Sequence, residues 1–328
     1  MTEPLLDVQG LSVEFHTRQG IVRAVQDLDL EVAAGSTVAV VGESGSGKSV
    51  TAQSIMGLLE SPPAVINGRI EFAGRDLLGL SAAERRSVNG EELAMVFQDS
   101  LSALNPVFAV GSQLAEVLRV RRGLSRREAW RRAIDLMERV RIPAAERRAR
   151  DYPHQFSGGM RQRIMIAMAI ALEPRLLIAD EPTTALDVTV QAQIMDLLAE
   201  LQAETDMALI LITHDLGVVA EVADQVVVMY AGRLAEQGDV TDLFATPAHP
   251  YTRGLLRSMP RADADGEELW AIPGAPPNLL GPPPGCAFAE RCDLALDCCR
   301  AERPVPRPTS DGRLAACHRS EEVLSGRA

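Results

Sequence analysis

Residues 37–49 read TVAVVGESGSGKS, a five-residue apolar run that ends at a glycine and leads into Gly42–Ser49, which fits G-x-x-x-x-G-K-S. A short, continuous apolar run closed by glycine suits a strand buried on both faces of a parallel sheet. The following SVTAQSIMGLL is compatible with a helix, so the loop sits between strand and helix, the context that a phosphate-binding loop requires. Glycines let backbone N–H groups approach an anion closely, and the helix N-terminus adds its partial positive charge. The expected phosphate cradle is Gly42, Glu43, Ser44, Gly45, Ser46, Gly47, Lys48, Ser49 and Val50, with Lys48 reaching the β- and γ-phosphates and Ser49 ligating Mg2+.

The rest of the chain has to supply a sheet around that loop. LLIAD at 176–180 and ALILIT at 208–213 are further buried-strand runs, and between them Val190, Ile194, Leu197, Leu198 and Leu201 recur at helical spacing. Strand, helix and strand in alternation predict a parallel α/β core with right-handed crossovers. Patches near residues 11–31 and 69–72 have no helix between them and predict an antiparallel sheet beside it. Residues 112 to about 170 show no strand pattern and predict a helical insertion. Within it, residues 119–151 hold twelve Arg against five acidic residues, which reads as a solvated helix face or as a surface near an anionic membrane.

Composition narrows the function classes. The formal net charge of -12 argues against nucleic-acid binding, which needs clustered Lys and Arg. The acidic N-terminus MTEPLLDVQG has no basic segment followed by an apolar one, so no secretory signal is read there. The longest apolar run, IMIAMAIAL at 164–172, falls well short of the roughly 18 residues of a spanning helix.

Two further motifs carry chemistry. LLIADE ends a buried strand with Asp180, suited to hold Mg2+ or its water, and Glu181, suited to deprotonate the attacking water. FSGGMRQR at 156–163 opens a second glycine-rich helix start, with Ser157, Gly158 and Gly159 as anion contacts. One loop holds one triphosphate tail, so a second start implies a second ligand or a site shared with another subunit.

Here the chain resembles the ATP-binding subunits of ABC transporters, over about residues 5–258. The resemblance rests on GESGSGKS, on Gln98 in VFQD, on FSGGMRQR, on LLIADE, on Asp187 in TALD and on His214 in LITHD. It implies an α/β fold: a P-loop ABC ATPase core with an antiparallel β subdomain, a helical subdomain over about residues 100–170 and a small Cys-containing C-terminal extension. Residues 1–258 would form the nucleotide-binding domain and 259–328 the extension. It also implies ATP and Mg2+ as ligands, with Mg2+ at Ser49, Gln98 and Asp180. Glu181, His214 and Gln98 would be catalytic or γ-phosphate-sensing. Asp187 would lie at the nucleotide, and Phe15, which ends LSVEF, would be either adenine-stacking or core. Two such domains face each other in the family, so Ser157, Gly158 and Gly159 would touch the partner's ATP.

QDSLSALNPVF at 98–108 and PAHPYTRGLL at 247–256 narrow the resemblance to the ATPases of oligopeptide and dipeptide permeases, which also include importers of nickel and of some glycosides. The implied function is to energise peptide import. The implied partners are two transmembrane permease subunits, a second ABC ATPase (identical or paralogous) and an extracytoplasmic solute-binding protein, with no nucleic acid. The implied location is peripheral, on the cytoplasmic face of the inner membrane. Import of nickel or another small solute, and a soluble ABC ATPase, are the alternatives.

All five cysteines lie at 286, 292, 298, 299 and 317, in a tail rich in Pro and Gly that is too poor in core residues to fold alone. Clustered thiols in a reducing compartment point to metal, and spacing leaves zinc and an iron-sulfur cluster open. The same permease ATPases resolve the choice by resemblance. GCAFAERC, Cys299 and ACH match their C-terminal pattern, with Asp293 where a Pro is usual, and imply a [4Fe-4S] cluster on Cys286, Cys292, Cys299 and Cys317. Cys298 offers a neighbouring thiol at the third position.

Overall fold

The computed structural model describes residues 3–99, 103–184, 186–259 and 270–327. Parts of two expected motifs, residues 100–102 and Ala185, and residues 260–269 of the tail lie outside the described residues. The strands in chain order are β1 (Leu6–Thr17), β2 (Gly20–Val32), β3 (Thr37–Val41), β4 (Ala64–Phe72), β5 (Arg75–Asp76), β6 (Leu93–Val96), β7 (Leu176–Asp180), β8 (Ala208–Thr213), β9 (Gln225–Tyr230), β10 (Arg233–Asp239), β11 (Arg307–Pro308) and β12 (Leu314–Ala315). The chain forms two compact units, residues up to 79 with those from 212 onward, and residues 80–211; the division falls inside β8.

In the first unit β2-β1-β4-β5 make an antiparallel sheet. Alternation explains β1: Leu6, Val8, Leu11 and Val13 are buried, and the register shift after Val8 keeps Leu11 on the inner face. A second set runs β11-β12-β10-β9-β3, with β3 parallel to β9 through Val38–Gln225 and Val41–Val228. Every residue of β3 is buried, as an apolar run with no alternation predicts. The helix Lys48–Met56 follows the loop and stops at Gly57, whose φ of 63° ends it.

The tail takes its core from this unit. Phe288 packs with Val226, Val228, Tyr230 and Tyr251, and Ala315 of β12 pairs with Glu236 of β10. A buried ion pair joins the two: Arg313 Nη1 lies 3.4 Å from Glu236 Oε1, with side chains 3% and 0% exposed. Burial pushes the Glu236 carboxyl above its usual range, opposed by hydrogen bonds from the backbone N–H groups of Ala248 (2.8 Å) and His249 (2.9 Å).

In the second unit β6 pairs parallel with β7, and β7 neighbours β8. The helices Val110–Arg122, Arg126–Arg139 and Gly158–Ile170 occupy the stretch expected to be helical. Helix Arg126–Arg139 begins with a reciprocal Ser125–Glu128 capping box and buries Ala129, Ala133, Leu136 and Met137. Much of the Arg-rich stretch is spent inside the unit: Arg139 pairs with Glu204 (2.6 Å), Arg141 with Glu200, and Arg122 donates to the Leu172 carbonyl (2.8 Å). Exposed pairs of this kind each contribute little, about 1 kcal/mol or less.

Replacing Arg313 by Met strands a carboxylate in the interior. Unfolding measurements on Arg313→Met are expected to show a loss of about 3–5 kcal/mol, partly recovered in Glu236→Gln/Arg313→Met. Unchanged stability of the single variant would remove this pin from the account.

Candidate functional site

The loop after β3 is built from backbone that only glycine tolerates. Gly42 has φ 150°, and a Cβ there would collide with the Met229 carbonyl oxygen of β9 and lie 2.8 Å from Ser46 Oγ. Gly47, the helix N-cap, has φ 103°, and a Cβ would meet the Ala24 carbonyl oxygen at 2.6 Å. Lys48 is buried; its Nζ donates to the carbonyls of Gly42 (2.7 Å) and Glu43 (3.0 Å), folding the ammonium back across the loop. Ser46 Oγ is buried without a hydrogen-bond partner, the kind of polar atom that a buried site has to satisfy from elsewhere.

Glu43 is held from outside the motif. Its backbone N–H donates to the hydroxyl of the buried Tyr251 (2.9 Å), and both its carboxylate oxygens accept from Arg291. Sequence reasoning quoted Tyr251 and Arg291 inside motifs but gave them no role. No spacing rule joins residues that far apart in the chain.

In the second unit Asp180 ends β7 and is buried, and Glu181 follows with φ 45°, a left-handed backbone unusual for a side chain of this size. Glu181 Oε2 accepts from Gln98 Nε2 (2.8 Å) and Thr184 Oγ1 (2.8 Å), so two of the expected site residues meet. Ser157 and Gly158 stand exposed at the start of helix Gly158–Ile170, whose N-cap is Ser157. At Gly159 a Cβ would come within 2.5 Å of Val190 Cγ1. Asp187 caps helix Val188–Thr205, accepting from the Val190 N–H (2.9 Å).

His214, in the first unit, is exposed just past β8, and Asp215 caps the helix that follows. Phe15 is half-buried in β1, opposite Val22 and Ala64.

The tail gathers four thiols. Cys286, Cys292, Cys299 and Cys317 line one small apolar cavity with Phe288 and Leu294, while Cys298 points outward and is exposed. Burial raises the thiols of Cys286 and Cys292 and pushes Cys317 up to about 12. Among the described residues no three or more His, Cys, Asp or Glu side chains are arranged as a ready ligand set for a metal ion. The donor chemistry fits a thiophilic group, because buried or half-buried thiols ionise more readily when a cation compensates them. The arrangement is a convergence around a cavity and not a closed shell.

The ABC transporter family model matches residues 25–184, and the model of the oligopeptide/dipeptide transporter C-terminal region matches residues 235–299. A dipeptide transport ATP-binding protein, DppD, of Bacillus subtilis is 52% identical over 99% of this chain and 99% of its own. An oligopeptide transport ATP-binding protein, OppD, of Salmonella typhimurium is 51% identical over 98% and 95%. The chain belongs to the ATP-binding proteins of ABC transporters.

The fold agrees. A dimeric ATP-binding cassette in a post-hydrolysis state, bound to ADP and Pi, superposes with a TM-score of 0.65 at 26% identity over 72% of this chain and 98% of that one. As an ABC ATP-binding protein the chain has an ATPase's loop, in which Gly42 and Gly47 leave no room for a side chain. Gly42→Ala forces a Cβ against a strand carbonyl at a backbone angle costing about 1–3 kcal/mol. ATP affinity measured by equilibrium titration is expected to fall roughly tenfold or more, whereas affinity within twofold of the parent would contradict the steric account.

Proposed function

We propose that this chain is the ATP-hydrolysing subunit that energises import of di- or oligopeptides through an ABC transporter. The near full-length identity to dipeptide and oligopeptide transport ATP-binding proteins carries this reading, since it spans the cassette and the cysteine-bearing tail together. Residues 1–258 act as the nucleotide-binding domain, and 259–328 as an extension that shares its core. The working assembly joins two permease subunits, a second ATPase subunit and a solute-binding protein, with this chain peripheral at the cytoplasmic face of the inner membrane. Among the described residues no helix is long and apolar enough to cross a membrane, which supports a peripheral placement.

Lys48 and backbone N–H groups within Gly42–Val50 other than that of Glu43 take the phosphates, and Lys48 exchanges its two loop carbonyls for phosphate oxygens. Ser49, Asp180 and Gln98 hold Mg2+, which supplies neutralisation of charge on the β- and γ-phosphates. Glu181 accepts the proton of the attacking water as its oxygen bonds to the γ-phosphorus and the bond to ADP breaks; the hydrogen bonds from Gln98 and Thr184 orient its carboxylate. His214 contacts the γ-phosphate, and Phe15 stacks on adenine. Asp187, already the cap of its helix, lies at the nucleotide. Ser157, Gly158 and Gly159 contact the ATP of the opposing subunit, which accounts for an exposed glycine-rich helix start.

Glu181→Gln in the reconstituted transporter is expected to keep ATP binding and slow hydrolysis by roughly 10²- to 10⁴-fold. Near-normal turnover would end the role given to Glu181.

The four cavity thiols, Cys286, Cys292, Cys299 and Cys317, hold a [4Fe-4S] cluster that clamps the tail, and the exposure of Cys298 supports leaving it out of the ligand set. Such a cluster supplies iron that keeps the thiolates ionised. Anaerobic purification is expected to give brown protein with about four irons per chain, lost when these cysteines are changed to Ser. One zinc per chain, or iron retained in those variants, would refute it.

A further inference from the structure

We infer that Arg291, in the cysteine-bearing tail, is a positioning residue for the phosphate loop, holding it in the shape that receives nucleotide. The inference rests on the reading of Gly42–Ser49 as the phosphate site. Arg291 Nη1 lies 2.7 Å from Glu43 Oε2 and Nη2 lies 2.9 Å from Glu43 Oε1, a two-pronged pair with the Arg291 side chain only 6% exposed. The guanidinium is itself fixed. Its Nε donates to the Pro273 carbonyl (2.8 Å), its Nη1 to the Tyr230 hydroxyl (3.2 Å), and its plane lies over the rings of Tyr230 and Phe288 at 5.8 and 5.9 Å. Little side-chain freedom remains to be lost when it grips a carboxylate, so a bidentate pair in this setting is strong and directional.

Two consequences follow for the loop. Glu43 is pinned at both ends, by Tyr251 at its N–H and by Arg291 at its carboxylate, immediately after Gly42, where the chain leaves β3. The guanidinium also neutralises a carboxylate standing beside a site that must accept phosphate. Arg291 precedes Cys292, which lines the thiol cavity, so the packing of the tail reaches the nucleotide site through one residue.

The test compares ATP KM, kcat and the Kd of a fluorescent ADP analogue in the complete transporter carrying Arg291→Ala, Arg291→Lys, Glu43→Gln or Arg291→Ala/Glu43→Gln. Exposed Arg300→Ala serves as a control and Lys48→Ala as the check on the loop itself. Arg291→Ala is expected to raise KM and Kd about tenfold, as for loss of one charge-assisted contact, with kcat within twofold. Arg291→Lys should retain part of the affinity, and the double variant should be no worse than Arg291→Ala alone. If Lys48→Ala weakens binding while Arg291→Ala leaves KM within twofold, the positioning role is wrong and the site reading stands. Additive losses in the double variant, or a fall in kcat and melting temperature with KM unmoved, also overturn it. Unchanged binding in Lys48→Ala overturns the site reading and the inference with it.

Discussion

The turn between β3 and helix Lys48–Met56 admits no side chain at Gly42 or Gly47, because each lies against a backbone carbonyl of a neighbouring strand. That close approach ties three pieces of chain into one object: β9 through Met229, β2 through Ala24, and the loop itself. Backbone N–H groups can be presented to an anion only if the loop is rigid, and here contact with strands sets the turn while Lys48 and Glu43 add side-chain ties. Lys48 is bonded to carbonyls of the same loop: a buried ammonium needs acceptors, and it finds them there.

The tail extends the same logic. Its composition cannot build a core, and it does not; Phe288 and the β12 pairing with β10 use the core of the first unit instead. The Glu236–Arg313 pair is costly to bury, yet each partner makes the other tolerable, which fixes the register of that attachment. Arg291 and Tyr251 then run from this attached region to Glu43. The tail is therefore continuous, contact by contact, with the loop that follows β3.

Much of the local structure was legible in the residues alone. TVAVV, LLIAD and ALILIT were readable as strands because burial on both faces leaves no alternation to confuse. Gln98 and Glu181 were both expected at the site, and they share a 2.8 Å hydrogen bond. β6 was not readable: LAMV is four residues long, and a run that short cannot be told from a buried turn of helix by its period. The Arg-rich stretch left two readings, and two of its arginines form exposed ion pairs with Glu200 and Glu204.

What the sequence by itself determined is local: a strand, a turn needing glycine, a helix start, and a set of cysteines. Period, backbone angle and side-chain chemistry are properties of neighbours in the chain, and they survive without a fold. What only the tertiary structure decided is which distant groups meet. Cys299 and not Cys298 faces the thiol cavity because helix Asp297–Ala301 turns adjacent side chains to different sides. Arg291 grips Glu43 across 248 residues of sequence because the tail packs against Tyr230 and Tyr251. No spacing in the chain encodes that distance; it follows from the apolar burial that draws the tail onto its neighbour.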